Sequence, residues 1–384
     1  MRVALLCHAS LGGSSRVATR LGCALERLGH SVSLVSASRP PAPAKELSAI
    51  RLEPFEAGRT RGWTTVIEPT WDTWRLAALE RRVEAVIRRD RVEVVHYHYA
   101  WPFAHIVPRL KARLGLAAPV FVGTLHGTDV TRAPTDAFAA LRFTDVYTTV
   151  SQTYAHLARE RLVLAHTPLV IPNFVDLDDF TPSFDFTHVR AQRAKPRLVH
   201  VSNYRQVKNP QGVADIFVAL RTKIPAELWL VGEGPGLQEL TTTLDRAGVG
   251  ADVRVLGYRS DIGQVLAECD LLLMTSWEES FCLAVLEAMT CGLSVVATAV
   301  GGLTELAEHG QTAMLYQPGD HREGARLALH LLTHDDLRLR MRRFAARHAR
   351  TFSAGSVVRR YEALYRSACS SLRSLEEPLA IEAV

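Results

Sequence analysis

The sequence predicts an α/β protein with two doubly wound, Rossmann-like domains, each built on a parallel sheet with helices on both faces. Its 384 residues exceed what a single hydrophobic core usually supports. Short apolar, β-rich runs alternate with amphipathic helical stretches, an order typical of parallel sheets. A polar, aperiodic segment with prolines, at about residues 176–196, separates two such series. We expect domains at residues 1–178 and 179–353, and a C-terminal helix and tail, 354–384, packed on the first domain.

Near-continuous apolar runs mark the strands, which suits sheets that are buried on both faces. The first series of strands is predicted at residues 3–7, 32–35, 92–96, 120–124 and 146–150. The second series is predicted at residues 198–202, 228–231, 253–256, 271–275, 294–298 and 313–316. Helical patterns include residues 14–28, 210–220, 281–290 and 353–372. Ligands of such sheets bind beyond the C-terminal ends of the strands, so two domains facing each other would hold one substrate on each side of a cleft.

The composition is that of a globular protein and argues against several classes. Hydrophobic residues make up 47% and charged residues 22%. The net charge of +5 is too mild and diffuse for nucleic acid, although it suits an anionic small ligand. The six cysteines form no CxxC pair, so we expect reduced thiols and neither disulfides nor a zinc site. No signal peptide pattern is visible, and Glu287 and Gly292 interrupt the apolar run 282–300. We therefore expect a cytoplasmic protein without a transmembrane segment.

A glycine pair, Gly12 and Gly13, lies between the first predicted strand and the first helix. Glycine lets the backbone approach a phosphate, and the N–H groups at a helix start favour an anion. A dinucleotide site is the rival interpretation. The spacing is not GxGxxG, however, and the second strand ends without an acid for an adenosine ribose. A tight strand-to-helix turn without a ligand is the other alternative.

Two cations, Arg205 and Lys208, follow the strand predicted at 198–202 and precede a helix. This arrangement can hold a diphosphate and neutralise a leaving nucleotide. A solvated basic turn is the alternative.

Two carboxylates, Glu279 and Glu287, follow the strand predicted at 271–275. Glu287 interrupts a helix that otherwise contains leucine, valine, alanine and methionine, where a carboxylate is costly unless it accepts hydrogen bonds. Vicinal ribose hydroxyls would supply them. The alternative is a charge at a helix N-terminus together with one solvated glutamate.

Histidines occupy two further strand ends in the first domain. His126 precedes a glycine in the turn after strand 120–124, where a structural or surface histidine is the alternative. Alternation along 96–99 puts His96 and His98 on one side of an extended segment. No third ligand is close in sequence, so we favour a polar cleft wall over a metal pair.

These elements, in this order and over nearly the whole chain, resemble the GT-B glycosyltransferases of family 4. The E-x7-E motif of that family maps on Glu279 and Glu287, its Arg/Lys pair on Arg205 and Lys208, and its glycine loop on Gly12 and Gly13. Within the family, the motifs GGSSRVATRLG, HYHYAWPFAHI, TLHGTDV, HVSNYRQVK and ESFCLAVLEAMTCG are most similar to the bacillithiol branch, whose enzymes join N-acetylglucosamine to L-malate. The mycothiol branch, which uses inositol phosphate, is less similar.

The resemblance implies a retaining, metal-independent glycosyltransferase without a covalent enzyme intermediate and without a cofactor. Its partners would be a nucleotide-sugar donor, most simply UDP-N-acetylglucosamine, and a small acceptor such as L-malate; we also consider a homodimer. The implied catalytic residues are His126, Arg205, Lys208 and Glu279. The implied donor-binding residues are Gly13, Ser280, Phe281, Cys282, Leu283 and Glu287. The implied acceptor-binding residues are Ser14, Arg16, His96, Tyr97, His98 and Thr128.

Three departures from the family pattern fall near the substrates. Ser15 and Arg16 replace a small pair after the glycine loop, Cys282 replaces a glycine, and residues 68–74 carry two additional tryptophans. They motivate an alternative function, a natural-product tailoring glycosyltransferase that uses a UDP- or GDP-sugar and another small acceptor, for example a thiol such as ergothioneine in a lincosamide-type pathway. A nucleotide-binding module without turnover is a further alternative, against which the intact Glu279, Glu287, Arg205 and Lys208 argue.

Overall fold

The computed structural model describes residues 1–8, 12–36, 50–54, 73–132, 137–180 and 195–376. The chain forms two compact units, Met1–Pro172 with Gly355–Val384, and Asn173–Ala354. The division falls before Asn173, six residues earlier than the sequence indicated. Val175 explains the difference, because its N–H donates to Phe352 O at 3.1 Å and its carbonyl accepts from Ala354 N at 2.9 Å, both within the second unit.

The first unit contains a parallel sheet with the strand order β3-β2-β1-β4-β5-β6-β7. Its strands are β1 (Arg2–Leu6), β2 (Ser31–Ser36), β3 (Arg51–Pro54), β4 (Val94–His98), β5 (Val120–Leu125), β6 (Val146–Thr149) and β7 (Leu169–Val170). The direction of winding reverses between β1 and β4, so the loops after these two strands diverge and leave a crevice at the C-terminal edge of the sheet.

Helices cover this sheet, and their apolar faces form a core with the strands. They are α1 (Gly13–Arg27), α2 (Thr73–Asp90), α3 (Phe103–Leu114), α4 (Thr128–Thr131), α5 (Ala137–Leu141) and α6 (Gln152–Arg161). Ser151 caps α6 by accepting a hydrogen bond from Tyr154 N. Large side chains such as Phe103 and Phe121 are buried to within 1% exposure in this core.

The second unit repeats the plan with a parallel sheet ordered β10-β9-β8-β11-β12-β13. Its strands are β8 (Arg197–Val201), β9 (Glu227–Val231), β10 (Val253–Gly257), β11 (Leu271–Met274), β12 (Ser294–Thr298) and β13 (Met314–Tyr316). Its helices are α7 (Pro210–Arg221), α8 (Leu237–Arg246), α9 (Ile262–Ala267), α10 (Leu283–Thr290), α11 (Leu303–Leu306), α12 (His321–Thr333) and α13 (Asp335–Ala349). Here the winding reverses between β8 and β11.

The last described helix, α14 (Ala354–Glu376), has two fully buried tyrosines, Tyr361 and Tyr365, on its apolar face. The Tyr365 hydroxyl lies 2.6 Å from His96 Nδ1, and Glu362 Oε1 lies 3.1 Å from His30 Nε2. These contacts attach α14 to the first sheet by a buried hydrogen bond and by a partly buried ionisable pair.

The predicted fold class is confirmed: both sheets are parallel, and every predicted strand is present within two residues of its expected bounds. Two short strands, β3 and β7, were not predicted. The predicted start of α10 at Phe281 is wrong by two residues, because Cys282 has a left-handed backbone with a φ of 78° and the helix begins after it.

Candidate functional site

In the second unit, a lysine and a glutamate meet beyond the ends of β8 and β11. Lys208 ends the 3₁₀ turn Gln206–Lys208 after β8, and its Nζ lies 2.7 Å from Glu279 Oε1. The same carboxylate oxygen accepts from Ser276 Oγ at 2.8 Å, and Glu279 is only 6% exposed. Two predicted catalytic residues, far apart in sequence, are therefore in direct contact at the point where the strand order reverses.

The loop that carries Lys208 is fixed by the loop after β11. Thr275 Oγ1 lies 3.1 Å from Lys208 O and 2.8 Å from Asn209 O. Trp277 N donates to Val207 O at 2.8 Å. Asn209 then caps α7 by accepting from Gly212 N at 3.2 Å. These bonds tie the loop that carries Lys208 to the segment after β11 and to the start of α7.

A second glycine-rich loop, which sequence reasoning missed, packs against the half-buried Arg205 segment. Gly232, Gly234 and Gly236 follow β9 at every second position. A Cβ on Gly232 would lie 1.9 Å from Ser202 O, and one on Gly234 would lie 1.8 Å from Asn203 O. Only glycine permits this backbone-to-backbone approach. Repeated glycines directly after a strand were the signal that could have revealed it.

Cys282 lies beside the carboxylate of Glu279, at the start of α10. Its backbone is left-handed, and the residue is only 7% exposed. Burial, assisted by the negative charge of Glu279, raises the pKa of the Cys282 thiol well above its usual value, so the thiol is neutral at pH 7. Ser280 and Leu283 flank this position, and the Phe281 ring packs inward at 5.6 Å from the Phe352 ring.

Glu287 lies on α10 and is 1% exposed. The alternative of a solvated glutamate is therefore wrong. Cys291 follows one turn later, and its thiol pKa is raised to about 12, first by burial and then by the charge of Glu287.

In the first unit, α1 begins at Gly13 directly after the loop that follows β1. Gly12 is its N-cap residue and offers no side chain, so the first N–H groups of α1 receive no side-chain cap from it. Ser15 is buried and donates to the His8 carbonyl, whereas Ser14 and Arg16 are half-buried. Residues 9–11 of this loop, and residues 68–72 of the tryptophan-bearing stretch, lie outside the described residues. Trp74 is 60% exposed.

The structure corrects the expectation that His96 and Tyr97 line a site. His96 is fully buried, with Nδ1 at 2.6 Å from Tyr365 Oη and Nε2 at 2.6 Å from Thr124 Oγ1. Tyr97 points to the opposite face of β4, into the hydrophobic core, where its hydroxyl lies 2.8 Å from Thr144 Oγ1. Both side chains are enclosed by other parts of the fold, which the alternation of residues cannot reveal.

His98, another expected acceptor contact, is as fully buried as His96, and it forms a close pair with His126 at the ends of β4 and β5. His98 Nδ1 lies 3.1 Å from His126 Nε2, and the rings of His96 and His98 are 4.3 Å apart, on the same side of β4 as expected. Burial lowers the pKa of His126 to about 3 and that of His98 well below its usual value, so both imidazoles are neutral at pH 7. His126 itself is not fully enclosed.

Asp129, to which the sequence reasoning gave no role, joins the loops after β4 and β5. Its carboxylate accepts from His126 N at 2.9 Å, Gly127 N at 2.8 Å and Ala100 N at 3.1 Å. Burial raises its pKa to about 6 despite these three donors. The carboxylate thus fixes the backbone that carries His126. Its position at the start of a helix, three residues after the histidine, was the available signal.

Tyr99, just after β4, and His8, just after β1, also contact this region, and neither was predicted. Tyr99 Oη lies 3.1 Å from Thr128 Oγ1, and His8 Nε2 lies 2.7 Å from Trp101 O. Burial lowers the pKa of His8 to about 4. Thr128, an expected acceptor contact, is therefore joined to Tyr99 through their hydroxyl groups.

Within the described ranges, no cluster of three or more histidine, cysteine, aspartate or glutamate side chains has the arrangement of a metal site. Across the same part of the chain, no helix combines the length and apolar character needed to cross a bilayer.

Comparisons with known proteins identify relatives of this chain. Residues 11–179 match a family model described as Glycosyltransferase Family 4, and residues 195–334 match one described as Glycosyl transferases group 1. The chain is 30% identical, over 95% of its length and 96% of the relative, to N-acetyl-alpha-D-glucosaminyl L-malate synthase of Bacillus anthracis. A D-inositol 3-phosphate glycosyltransferase of Mycobacterium sp. (strain JLS) is 34% identical over 52% of this chain and 46% of the relative.

Solved structures share the fold at lower identity. Sucrose-phosphate synthase from Thermosynechococcus elongatus superposes with a TM-score of 0.80 at 20% identity, over 97% of this chain and all of that one. Anabaena Alr3699/HepE in complex with UDP and glucose gives a TM-score of 0.78 at 21% identity, over 96% of this chain and all of that one.

Proposed function

The chain belongs to the family 4 glycosyltransferases of the GT-B fold, and from this premise we propose that it transfers N-acetylglucosamine, with retention, from UDP-N-acetylglucosamine to a small anionic acceptor such as L-malate. The name of the Bacillus anthracis relative, which is similar over almost its whole length, supports this choice of sugar and acceptor. The described residues support it through the chemistry of the two strand-end sites.

The observation that carries the proposal is the Lys208–Glu279 pair, together with the buried Glu287 on the helix α10 that follows Glu279. A nucleotide-sugar needs positive charge for its diphosphate and acceptors for its hydroxyls. Lys208, with Arg205 in the same loop, provides the charge, and the largely buried Glu279 provides the acceptor for hydroxyls of the sugar. Glu287, almost fully buried, would accept from the ribose hydroxyls.

The proposed reaction breaks the bond between the anomeric carbon and the diphosphate and forms one to the acceptor oxygen on the same face of the sugar. The acceptor proton passes to a diphosphate oxygen, so UDP leaves and no covalent enzyme intermediate forms. The protein positions the substrates and stabilises the developing charge on the diphosphate. Arg205 and Lys208 offset that charge, and the N–H groups from Ser280 to Leu283 would contact the donor sugar.

The residues of the first unit would serve the acceptor and the reacting face of the sugar. His126 would lie beside the anomeric centre, and Gly13, at the start of α1, would contact the diphosphate. Arg16 carries a positive charge near this helix start, which suits an anionic acceptor. Thr128 and Ser14 would supply hydroxyl groups for hydrogen bonds to it.

The test is UDP release by the purified protein from UDP-N-acetylglucosamine, with and without L-malate. Release that depends on malate, together with a product that keeps the anomeric configuration, supports the proposal. No turnover with malate, but turnover with another acceptor, would contradict it. Cys282, where the family pattern has a glycine, lies with a left-handed backbone beside Glu279, the carboxylate proposed to bind the sugar. The same screen should therefore include other UDP-sugars and GDP-sugars. It should also include thiol acceptors, which the alternative function would use.

The proposed charge stabilisation uses two cationic side chains and backbone N–H groups, without a divalent ion. We therefore expect full activity in the presence of EDTA. Loss of activity with EDTA, and its recovery on adding Mg²⁺ or Mn²⁺, would contradict the metal-independent scheme.

A further inference from the structure

The surroundings of the His98–His126 pair restrict which ring nitrogens carry the protons. At 3.1 Å, His98 Nδ1 and His126 Nε2 share one hydrogen bond, in which one nitrogen donates and the other accepts. Both rings are neutral near pH 7, so each carries a single proton on one of its two nitrogens. Two arrangements satisfy the bond: His98 donates from Nδ1, or His126 donates from Nε2.

The second nitrogen of His98 discriminates between these arrangements. His98 is fully buried, and its Nε2 has no hydrogen-bond partner among the residues that the structure describes. If His126 donated, the proton of His98 would lie on this isolated Nε2, and a buried N–H without an acceptor is among the rarest and costliest states of a polar group. If His98 donates from Nδ1, Nε2 carries only a lone pair.

We propose that His98 is a positioning residue that fixes the tautomer of His126, donating from its own Nδ1 and leaving His126 protonated on Nδ1. The inference goes beyond the proposed function and rests on it only for its catalytic consequence. His126 would then present an N–H donor, and not a lone pair, from the nitrogen that does not face His98. Such a donor can hold an oxygen of the sugar or the acceptor but cannot remove a proton.

The surrounding residues keep His98 in the orientation that this role needs. The His96 ring packs against it at a tilt of 37° with a centroid separation of 4.3 Å, and both His96 nitrogens are held at 2.6 Å by the hydroxyls of Tyr365 and Thr124. Thr124 Oγ1 lies 2.6 Å from Thr148 Oγ1. His98 thus packs against a ring that is itself hydrogen-bonded at two points, one of them on α14.

The tautomer can be read directly from long-range ¹H–¹⁵N spectra of the ¹⁵N-labelled full-length protein, because protonated and unprotonated ring nitrogens have distinct ¹⁵N shifts. The chain contains an internal reference for each state. His200 Nδ1 lies 2.8 Å from Leu273 O, and His8 Nε2 lies 2.7 Å from Trp101 O. A carbonyl can only accept, so His200 must be protonated on Nδ1 and His8 on Nε2.

We expect His126, assigned by the signals missing from His126→Gln, to match the His200 pattern. A His126 that matches His8, or that averages between the two states, would overturn the inference from the wild-type spectrum alone. His98→Asn places an amide N–H near the position of Nδ1 and should retain the tautomer. His98→Leu removes the donor and should release it.

Activity assays separate this inference from the proposed function. If both are correct, kcat falls by about 10-fold or more in His98→Leu and recovers in His98→Asn, as expected when a group that orients a functional histidine is removed. If the tautomer behaves as expected in the spectra but kcat is unchanged in His98→Leu, the inference stands and the catalytic role of His126 is wrong.

Discussion

Lys208 combines a charge and a position that an ordinary surface lysine lacks. It is anchored on Glu279 at 2.7 Å, and the backbone that carries it is tied to Thr275. We expect Lys208→Ala to lower kcat by about 10²-fold or more, because the diphosphate loses a preorganised cation as its charge develops. The measurement is steady-state UDP release, with the melting temperature as a check of folding.

Lys223→Ala is the matched control for this substitution. Lys223 is an exposed lysine of the same unit and makes none of these contacts, so its removal should leave kcat unchanged. Near-normal turnover in Lys208→Ala would refute its role at the leaving group.

Cys282 has a backbone conformation that is unfavourable for any residue with a Cβ. A left-handed φ of 78° costs a residue with a Cβ roughly 1–2 kcal/mol, and glycine avoids this cost. We therefore expect Cys282→Gly to be more stable than Cys282→Ala by about 1 kcal/mol, since alanine loses the thiol but keeps the strain. Urea unfolding monitored by circular dichroism measures the difference.

Cys269 provides the comparison for Cys282. It is 4% exposed and has no positive φ, so Cys269→Gly should be less stable than Cys269→Ala by about 1 kcal/mol. The same order of stability at both positions would contradict the strain assigned to Cys282.

At the scale of single residues, charge was easier to predict than orientation. Glu287 was identified because a carboxylate among apolar helical residues needs donors, and its burial agrees with that reasoning. Tyr97 and His98 occupy adjacent positions of one strand, yet Tyr97 enters the core and His98 contacts His126. Which residues of β4 face the core depends on helices from both earlier and later parts of the chain, and the strand sequence does not contain that information.

At the scale of elements, α14 is attached to the first sheet by a buried hydrogen bond that can be removed without altering its apolar packing. Tyr365→Phe deletes the hydroxyl opposite His96 Nδ1 and leaves a buried polar atom without its partner. We expect a loss of about 1–3 kcal/mol in the free energy of unfolding, measured by urea denaturation. Ser370→Ala, an exposed change on the same helix, should have little effect; equal effects of the two substitutions would contradict the attachment.

Elements with a strong apolar pattern were predictable, and short or irregular ones were not. The central strands are fully buried, and β11 (LLLM) is a continuous apolar run, whereas β4 (VVHYH) and β12 (SVVAT) combine apolar residues with buried polar ones. β3 has the sequence RLEP at a sheet edge, and β7 has only two residues, so neither gives a period that can be recognised. The loop of Gly232, Gly234 and Gly236 was overlooked because its function is close backbone packing, which depends on a neighbouring loop.

At the scale of the whole molecule, both units have residues of the proposed site at the reversal of the strand order. In the first unit Gly13 begins the helix that follows β1 and His98 is the last residue of β4, and in the second Lys208 and Glu279 lie in the segments after β8 and β11. The sequence indicates which loops follow strands, but not which strands are neighbours. Once the sheet order is known, the rule that ligands bind where the strand order reverses identifies which loops form the site.

The two units differ in their buried histidines, and this difference should govern their response to acid. In the described part of the first unit, burial lowers the pKa of His8 to about 4 and of His96 and His126 to about 3, and His98 is lowered too. Among the described residues of the second unit, His200 is the one histidine with such a shift, and burial lowers its pKa to about 4.

The sign of the effect follows from proton binding. A histidine that titrates near pH 6.5 when unfolded but near 3 when folded binds protons only in the unfolded state between these values, so its folded state loses stability as the pH falls below about 6.5. Fully buried His96 alone would contribute a loss of about 2 kcal/mol at pH 5. The pKa of Asp129 is raised to about 6, so this carboxyl has the opposite effect and stabilises the folded state as the pH falls from 6 to 4. It is a single group, whereas four histidines destabilise the folded state.

We therefore expect the first unit to open before the second as the pH is lowered from 7 to 5. Hydrogen exchange measures this, after correction for the intrinsic pH dependence of amide exchange: peptides from β4 and β5 should lose protection by a larger factor than peptides from β8 and β11. His96→Asn, which removes a ring that must remain neutral, should reduce the difference between the two sets of peptides. An equal loss of protection in both units, or an earlier loss in the second, would show that the neutral histidines beneath the His126 loop do not control the acid stability of this enzyme.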